Sequence, residues 1–221
     1  MRYEDRAQAG RELARRLRET RERGGLPGGT VVLALPRGGV PVAAEVARAL
    51  DAPLDVLIVR KIGAPQHEEY AIGALAGDDP PYVDESAVAA LRLAPEELDA
   101  RVAAERAEAR RREECYRRGR PAPDLTGRSV VVVDDGLATG ATARVALRHV
   151  RGARPRRLVL AVPVGEAGAV AALGEEADEV VCGYRPPRFM AVGEWYDDFR
   201  QLTDAEVLDV LDDRDGRSPG G

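Results

Sequence analysis

Ser129-Val130-Val131-Val132-Val133-Asp134-Asp135-Gly136-Leu137-Ala138-Thr139-Gly140-Ala141-Thr142 is the stretch that decides the fold. Ser129 to Val133 is dense in β-branched side chains and reads as a strand buried on both faces. It delivers two adjacent carboxylates, Asp134 and Asp135, to the carboxyl edge of a sheet, where ligands of open α/β sheets bind. A loop of small residues follows and enters a helix from about Ala143 to Arg151. The backbone N–H groups of Gly136, Ala138, Thr139, Gly140, Ala141 and Thr142, the helix dipole and the two Thr hydroxyls can converge there on a phosphate. Carboxylates beside a phosphate cradle suit a ligand with an anionic end and a hydroxyl-bearing middle. A sugar phosphate has both: the acids accept hydrogen bonds from vicinal ribose hydroxyls while the loop holds the 5-phosphate.

Two plainer readings stand beside this one. Walker B segments of ATPases also end an apolar strand on acids, but their Gly-x4-Gly-Lys-[Ser/Thr] partner is absent from this chain. The other is a simple strand exit followed by a capped helix.

Outward from this stretch, strands and helices alternate, which implies βαβ units with right-handed crossovers and a mainly parallel sheet. A helix from Tyr3 to Arg23 is closed by Gly24, Gly25, Pro27, Gly28 and Gly29. Thr30 to Leu35 is a strand, Val40 to Leu50 a helix, and Leu54 to Val59 a second strand. Gly63 to Pro81 is punctuated as a long loop with room for a short hairpin. Its His67, Glu68, Glu69 and Tyr70 read as solvated residues, since no nucleophile accompanies them. Pro95 to Arg120 has helical composition with little apolar face, and Glu97 with Arg101 and Glu108 with Arg112 can pair one turn apart. It reads as a solvated helix whose charges nearly cancel. Arg157 to Pro163 is a strand, Ala167 to Leu173 a short helix, Glu179 to Cys182 a strand and Asp204 to Leu211 a terminal helix.

Whole-chain quantities narrow the class. The chain has 221 residues, of which 44% are hydrophobic and 32% charged. That length buries about 70% of the extended surface and supports one domain. A net charge of −5 and pI near 5.3 provide no chain-wide positive field for a nucleic acid or an anionic membrane. Two cysteines, Cys115 and Cys182, make neither a disulfide framework nor a Cys-rich zinc site, which points to a reducing cytoplasm. No apolar run reaches the length of a membrane span, and the charged N-terminus lacks a leader's apolar stretch. Every basic residue but Lys61 is Arg, and Asn is absent.

Two further groups fall on the same sheet edge. Leu35-Pro36-Arg37-Gly38-Gly39 ends the first strand; its glycines let successive N–H groups turn into one concavity, and the guanidinium can fork onto phosphate oxygens. Taken alone, such a turn also reads as a tight strand-to-helix connection. Lys61, with Arg60, ends the second strand. A compact ammonium tolerates crowding that a planar guanidinium does not, although a chance survivor of an Arg-rich composition reads the same.

The strand, acid pair and Thr/Gly loop resemble the type I phosphoribosyltransferases, and the likeness runs from Thr30 to about Asp204. It is nearest to a bacterial group known only as predicted phosphoribosyltransferases. The resemblance implies an α/β, Rossmann-like fold: a mainly parallel sheet flanked by helices with a small C-terminal hood. One domain would span 1–221, with a core of about 30–182, a hood of about 183–204 joined by the helix 3–23, and a disordered tail at 216–221. It implies binding of 5-phosphoribosyl 1-diphosphate and transfer of the phosphoribosyl group to a nitrogen acceptor, a nucleobase, with release of pyrophosphate. Arg37, Gly38 and Gly39 become the pyrophosphate loop, and Lys61 the basic residue that binds pyrophosphate oxygens. The implied cofactor is Mg²⁺, touched by Asp134 and Asp135 through water, and family members are commonly homodimers.

At one position the chain departs from the family: Gly136 stands where an apolar residue or Ser is usual, which would loosen the loop's start. Phe189-Met190-Ala191-Val192-Gly193-Glu194-Trp195-Tyr196-Asp197-Asp198-Phe199 resembles the base-binding hood of 6-oxopurine enzymes, with Phe189 as stacker, Val192 for backbone contacts and Trp195 beside them. The Lys that meets the purine oxygen there has no counterpart here. An aromatic cluster packing a small lobe onto the sheet accounts for this segment equally well. The alternative to an enzyme is a non-catalytic regulatory protein that binds phosphoribosyl diphosphate or a nucleotide.

Overall fold

The computed structural model describes residues 2–65 and 67–215; the expected tail at 216–221 lies outside the described residues, as do the side chains of Glu68 and Glu69. A five-stranded parallel sheet is the frame. Its strands are β1 (Thr30–Ala34), β2 (Leu54–Val56), β6 (Ser129–Val133), β7 (Arg157–Val164) and β8 (Glu179–Tyr184), in the order β2-β1-β6-β7-β8. β1 and β6 are buried along their whole length, as the unbroken apolar runs require. Alternation across the pleat assigns each side chain to one of two cores. Val131 and Val133 join Val32 and Ala34 beneath α1 (Arg6–Glu22) and α2 (Gly39–Leu50), while Val130 and Val132 join Val31 and Leu33 beneath α5 (Ala141–Gly152) and α6 (Ala167–Leu173). In-register pairing of Val133 with Ala34 and Ala161 brings the ends of three strands to one edge.

The stretch read as a long loop is a second sheet. β3 (Val59–Ala64), β4 (His67–Ala76) and β5 (Tyr82–Val83) pair antiparallel in that order. The apolar run read as one strand, Leu54 to Val59, is therefore divided between two sheets, and Lys61 stands inside β3. Gly63 and Gly73, which look like turn punctuation, lie within strands. Register shifts flank Gly63, where a glycine commonly accommodates a bulge. Ile62, Ile72, Leu75 and Ala76 are buried and supply the sheet's packed face.

α3 (Glu85–Leu91) lies in a stretch to which the sequence assigned no element; the Asp84 carboxylate accepts from the N–H groups of Ser86 and Ala87 at its start. α4 (Pro95–Arg117) has Pro at its first turn and only Ala109 and Tyr116 buried. Both expected ion pairs form, Glu97 with Arg101 at 3.6 Å and Glu108 with Arg112 at 2.8 Å. Ion pairs also anchor it: Arg117 reaches Asp55 at 3.0 Å and Glu105 reaches Arg60 at 2.8 Å.

The segment after β8, expected as a hood, is tied to the N-terminus. The Tyr3 N–H donates to the Trp195 carbonyl and the Asp197 N–H to the Tyr3 carbonyl, both at 2.8 Å. Tyr3, Ala9, Val164 and Tyr196 form a third apolar cluster, with Tyr184, Phe189, Val192, Trp195 and Phe199 packed on it. α7 (Asp204–Asp215) closes the described chain. No described helix is long and apolar enough to cross a membrane.

Candidate functional site

Lys61, Asp134, Val192 and the loop from Gly136 to Ala143 line one cleft at the carboxyl edge of the sheet. The loop is held from below by Leu137, whose N–H donates to the Val164 carbonyl at 2.9 Å and whose carbonyl accepts from the Glu166 N–H at 2.8 Å. Ala138 and Thr139 are left exposed at its tip. Gly140 has φ of +77°, a left-handed conformation open to glycine, and this turns the chain directly into α5. The helix therefore begins at Ala141, one half-turn earlier than the sequence suggested. The Ala141 N–H meets the Thr139 hydroxyl at 3.5 Å, and the first-turn N–H groups have no intrahelical acceptor. An anion in the cleft would complete them.

The turn after β1 packs onto the acid pair. A Cβ at Gly38 would lie 1.9 Å from Oδ2 of Asp135, and one at Gly39 would lie 2.7 Å from the Val133 carbonyl oxygen and 3.0 Å from the Asp134 Cα. Only glycine lets the two loops approach this closely. The Pro36–Arg37 peptide is cis. Arg37 itself pairs with Asp204, its Nη1 3.8 Å from Oδ1.

The two acids are not equivalent. Asp134 lines the cleft, and its Oδ1 accepts from the Asp135 N–H at 2.8 Å. Burial and the neighbouring Asp135 carboxylate hold its pKa well above the usual carboxylate range, while Arg6 and Lys61 draw it down. Burial also raises Asp135, opposed by Arg6. Oδ2 of Asp135 accepts from Nε of Arg6 at 2.8 Å, with both side chains about one-tenth exposed. The Tyr196 hydroxyl donates to the Asp135 carbonyl at 2.5 Å. Sequence reasoning missed Arg6 and Tyr196: Arg6 is one Arg among many in a charged helix, and Tyr196 is one ring among several in the aromatic segment.

Val192 reaches the cleft from the hood, on a 3₁₀ turn spanning Val192–Trp195. Its Cγ1 lies 2.3 Å from the place a Cβ at Gly136 would take. The departure at Gly136 is thus a steric accommodation: the hood fills the space the usual side chain would occupy. Phe189 and Trp195 are not brought to the cleft; Phe189 packs on the third cluster, and Trp195 meets Tyr184 edge-on at 5.3 Å.

Among the described residues no group of three or more His, Cys, Asp or Glu side chains could hold a metal ion by itself. The donor set fits Mg²⁺ carried by a ligand: it offers hard carboxylate oxygen at Asp134, and Mg²⁺ keeps most of its shell as water and phosphate oxygens.

The parallel sheet, its glycine-rich edge loops and the acid-bearing cleft define a Rossmann-like α/β protein with its cleft at the carboxyl edge of the sheet. Residues 2–183 match the family described as phosphoribosyl transferase domain, and the chain belongs to that family. The structure resembles the crystal structure of TT1426 from Thermus thermophilus, with a TM-score of 0.77 and 45% identity over 96% of this chain and 98% of that one. "Putative phosphoribosyl transferase Rv0571c" of Mycobacterium tuberculosis H37Rv is 46% identical over 210 residues. "Putative phosphoribosyl transferase MT0597" of strain CDC 1551 matches to the same extent. In both, the match covers 95% of this chain and the chain spans only 46% of the relative.

Proposed function

We propose that the protein binds 5-phosphoribosyl 1-diphosphate in this cleft and transfers its phosphoribosyl group to a nitrogen acceptor of the nucleobase class. The observation that carries this reading is the meeting of Lys61, Asp134 and the N-terminal loop of α5 around one space. The 5-phosphate would lie on the N–H groups and hydroxyls of residues 138–142, with Gly136 at the loop's start. Asp134, whose neighbour is Asp135, would accept hydrogen bonds from the ribose hydroxyls. The diphosphate would lie against Gly38 and Gly39, whose loop already touches the acids.

In the reaction the lone pair of the acceptor nitrogen forms a bond to C1 of the ribose, that nitrogen gives up its proton to water, and the bond from C1 to the diphosphate oxygen breaks, its electrons leaving with pyrophosphate. Positive charge grows at C1 and negative charge on the leaving group, so fixed donors beside the diphosphate lower the barrier. Lys61 supplies one such charge, and Arg37 a second if it exchanges Asp204 for the diphosphate. Mg²⁺, when bound with the ligand, neutralises diphosphate charge. Val192 would supply backbone contacts to the base at the mouth of the cleft. The packing of Phe189 and Trp195 in the hood's own cluster favours a supporting role for both over stacking. A cytoplasmic setting and a homodimer complete the reading; the family resemblance bears on the homodimer, and the unpaired Cys115 and Cys182 suit the cytoplasm.

The test is incubation with 5-phosphoribosyl 1-diphosphate, Mg²⁺ and a panel of nucleobases while pyrophosphate release is followed. Release with one acceptor is the expected outcome. Tight binding of the ligand with no release for any acceptor would replace the enzyme by a regulatory protein that kept the site. Failure to bind the ligand would remove both.

A further inference from the structure

Arg37 carries the one charged side chain of the turn Leu35-Pro36-Arg37-Gly38-Gly39. Its Nη1 lies 3.8 Å from Oδ1 of Asp204, and the same oxygen accepts from the Tyr116 hydroxyl at 2.5 Å. Tyr116 is buried near the end of α4. Burial, then the bond to Asp204 and the charge on it, hold the phenol well above its ordinary range against Arg112 and Arg37, so it remains a donor at neutral pH. Asp204 is also fixed through its backbone, as the first residue of α7. The Thr203 N–H donates to a Glu206 carboxylate oxygen at 2.9 Å and the Glu206 N–H to the Thr203 hydroxyl at 3.3 Å, a reciprocal cap that does not use the Asp204 carboxylate. Val207 and Leu211 bury the helix in the core. A carboxylate held in place by two helices therefore stands beside the cation of the glycine turn.

We infer that Asp204 is a positioning residue that sets ligand specificity: it keeps Arg37 paired until a diphosphate takes the guanidinium, so the site engages Arg37 only for the ligand that carries the leaving group. The inference rests on the proposed binding of 5-phosphoribosyl 1-diphosphate, with its 5-phosphate on residues 138–142 and its diphosphate against Gly38 and Gly39. The exchange is cheap in one direction. At 3.8 Å, with the Arg37 and Asp204 side chains 29% and 40% exposed, the pair contributes little. A diphosphate offers a guanidinium several charged acceptors in fork geometry, which one oxygen already shared with Tyr116 does not. Ribose 5-phosphate offers Arg37 no such replacement, because its one phosphate belongs to the other loop. The same competition loosens the hold on pyrophosphate once it has formed.

Titration calorimetry at low ionic strength, where part-exposed charges count most, tests this with three ligands in Mg²⁺: 5-phosphoribosyl 1-diphosphate, pyrophosphate and ribose 5-phosphate. Asp204→Asn keeps an acceptor for Tyr116 and leaves the cap of α7 intact, so the protein folds. It should tighten both diphosphate ligands by about fivefold, the upper range for a part-exposed pair, and change ribose 5-phosphate by less than about twofold, within the scatter of independent sites. Arg37→Gln leaves Lys61 and the loop N–H groups in place, so all three ligands still bind. In that background Asp204→Asn should move every affinity by less than about twofold, since no guanidinium remains to be released. Tightening that persists without Arg37 is a bare charge effect and overturns the inference. Unchanged or weaker binding of the diphosphate ligands in Asp204→Asn overturns it equally, as does tightening shared by ribose 5-phosphate. Wild-type protein that binds pyrophosphate but not 5-phosphoribosyl 1-diphosphate overturns the functional reading itself, and the inference with it.

Discussion

Val192 of the hood takes the space that a side chain at Gly136 would need, with its Cγ1 2.3 Å from the vacant Cβ position. The start of the loop after β6 and the hood residue that lines the same cleft are therefore fitted to each other across 56 positions of sequence. Gly136→Ala should displace the hood and cost about 1–3 kcal/mol, as overpacking of a close contact does. Val192→Ala alone should be mild, and the two together should recover most of the loss. Chemical denaturation of all four proteins measures the coupling; strictly additive losses would show that the contact does not constrain the hood.

Gly38→Ala tests the other close approach. A methyl group 1.9 Å from Oδ2 of Asp135 forces the turn after β1 away from the acid pair. The expected result is a lower melting temperature and at least about tenfold weaker pyrophosphate binding, the scale of roughly 1.4 kcal/mol. Wild-type affinity in this variant would remove the glycine turn from the diphosphate site.

Lys61→Ala should lower kcat more than it lowers affinity for 5-phosphoribosyl 1-diphosphate, because its contact strengthens as charge develops on the leaving group. Lys61 lies on an exposed position of β3 and lines the cleft, so the substitution leaves the packed face of its sheet intact. Steady-state rates of pyrophosphate release measure this directly. An unchanged kcat would make the single lysine an accident of composition.

Tyr3→Phe probes the joint between the N-terminus and the core. The Tyr3 hydroxyl donates to the Pro163 carbonyl at 3.0 Å, and burial pushes the phenol up to about 12, with Glu12 and Cys182 adding to the rise and Arg16 opposing it. A raised folded pKa means that this stabilisation is complete below the unfolded value near 10 and is lost as pH rises towards 12. Tyr3→Phe should cost about 1 kcal/mol at neutral pH and flatten the decline in stability between those values. Parallel alkaline denaturation curves for the two proteins would rule the phenol out as its source.

The acid strand was legible because a strand buried on both faces must be apolar throughout, and Val130 to Val133 leaves no other reading. The loop after it was legible because glycine and threonine at a helix start have a physical use there. The antiparallel sheet was not, since Gly63 and Gly73 resemble turn signals even when they lie inside strands. Arg6 was hidden for a different reason. It meets Asp135 across 129 positions, and nothing local separates it from the other arginines of its helix.

Sequence by itself determined the parallel sheet, the family resemblance and the placing of the acid pair and its loop after β6, because burial, periodicity and loop chemistry are local constraints written into neighbouring residues. Tertiary structure alone decided how those residues divide the work. It put Lys61 on a hairpin that shares a cleft with the loop after β6, turned Arg37 towards Asp204, closed Val192 onto Gly136 and paired Asp135 with Arg6 while Asp134 lines the cleft. Each of these is a contact between segments far apart in the chain, and such contacts follow from how whole elements pack, which no single stretch of sequence specifies.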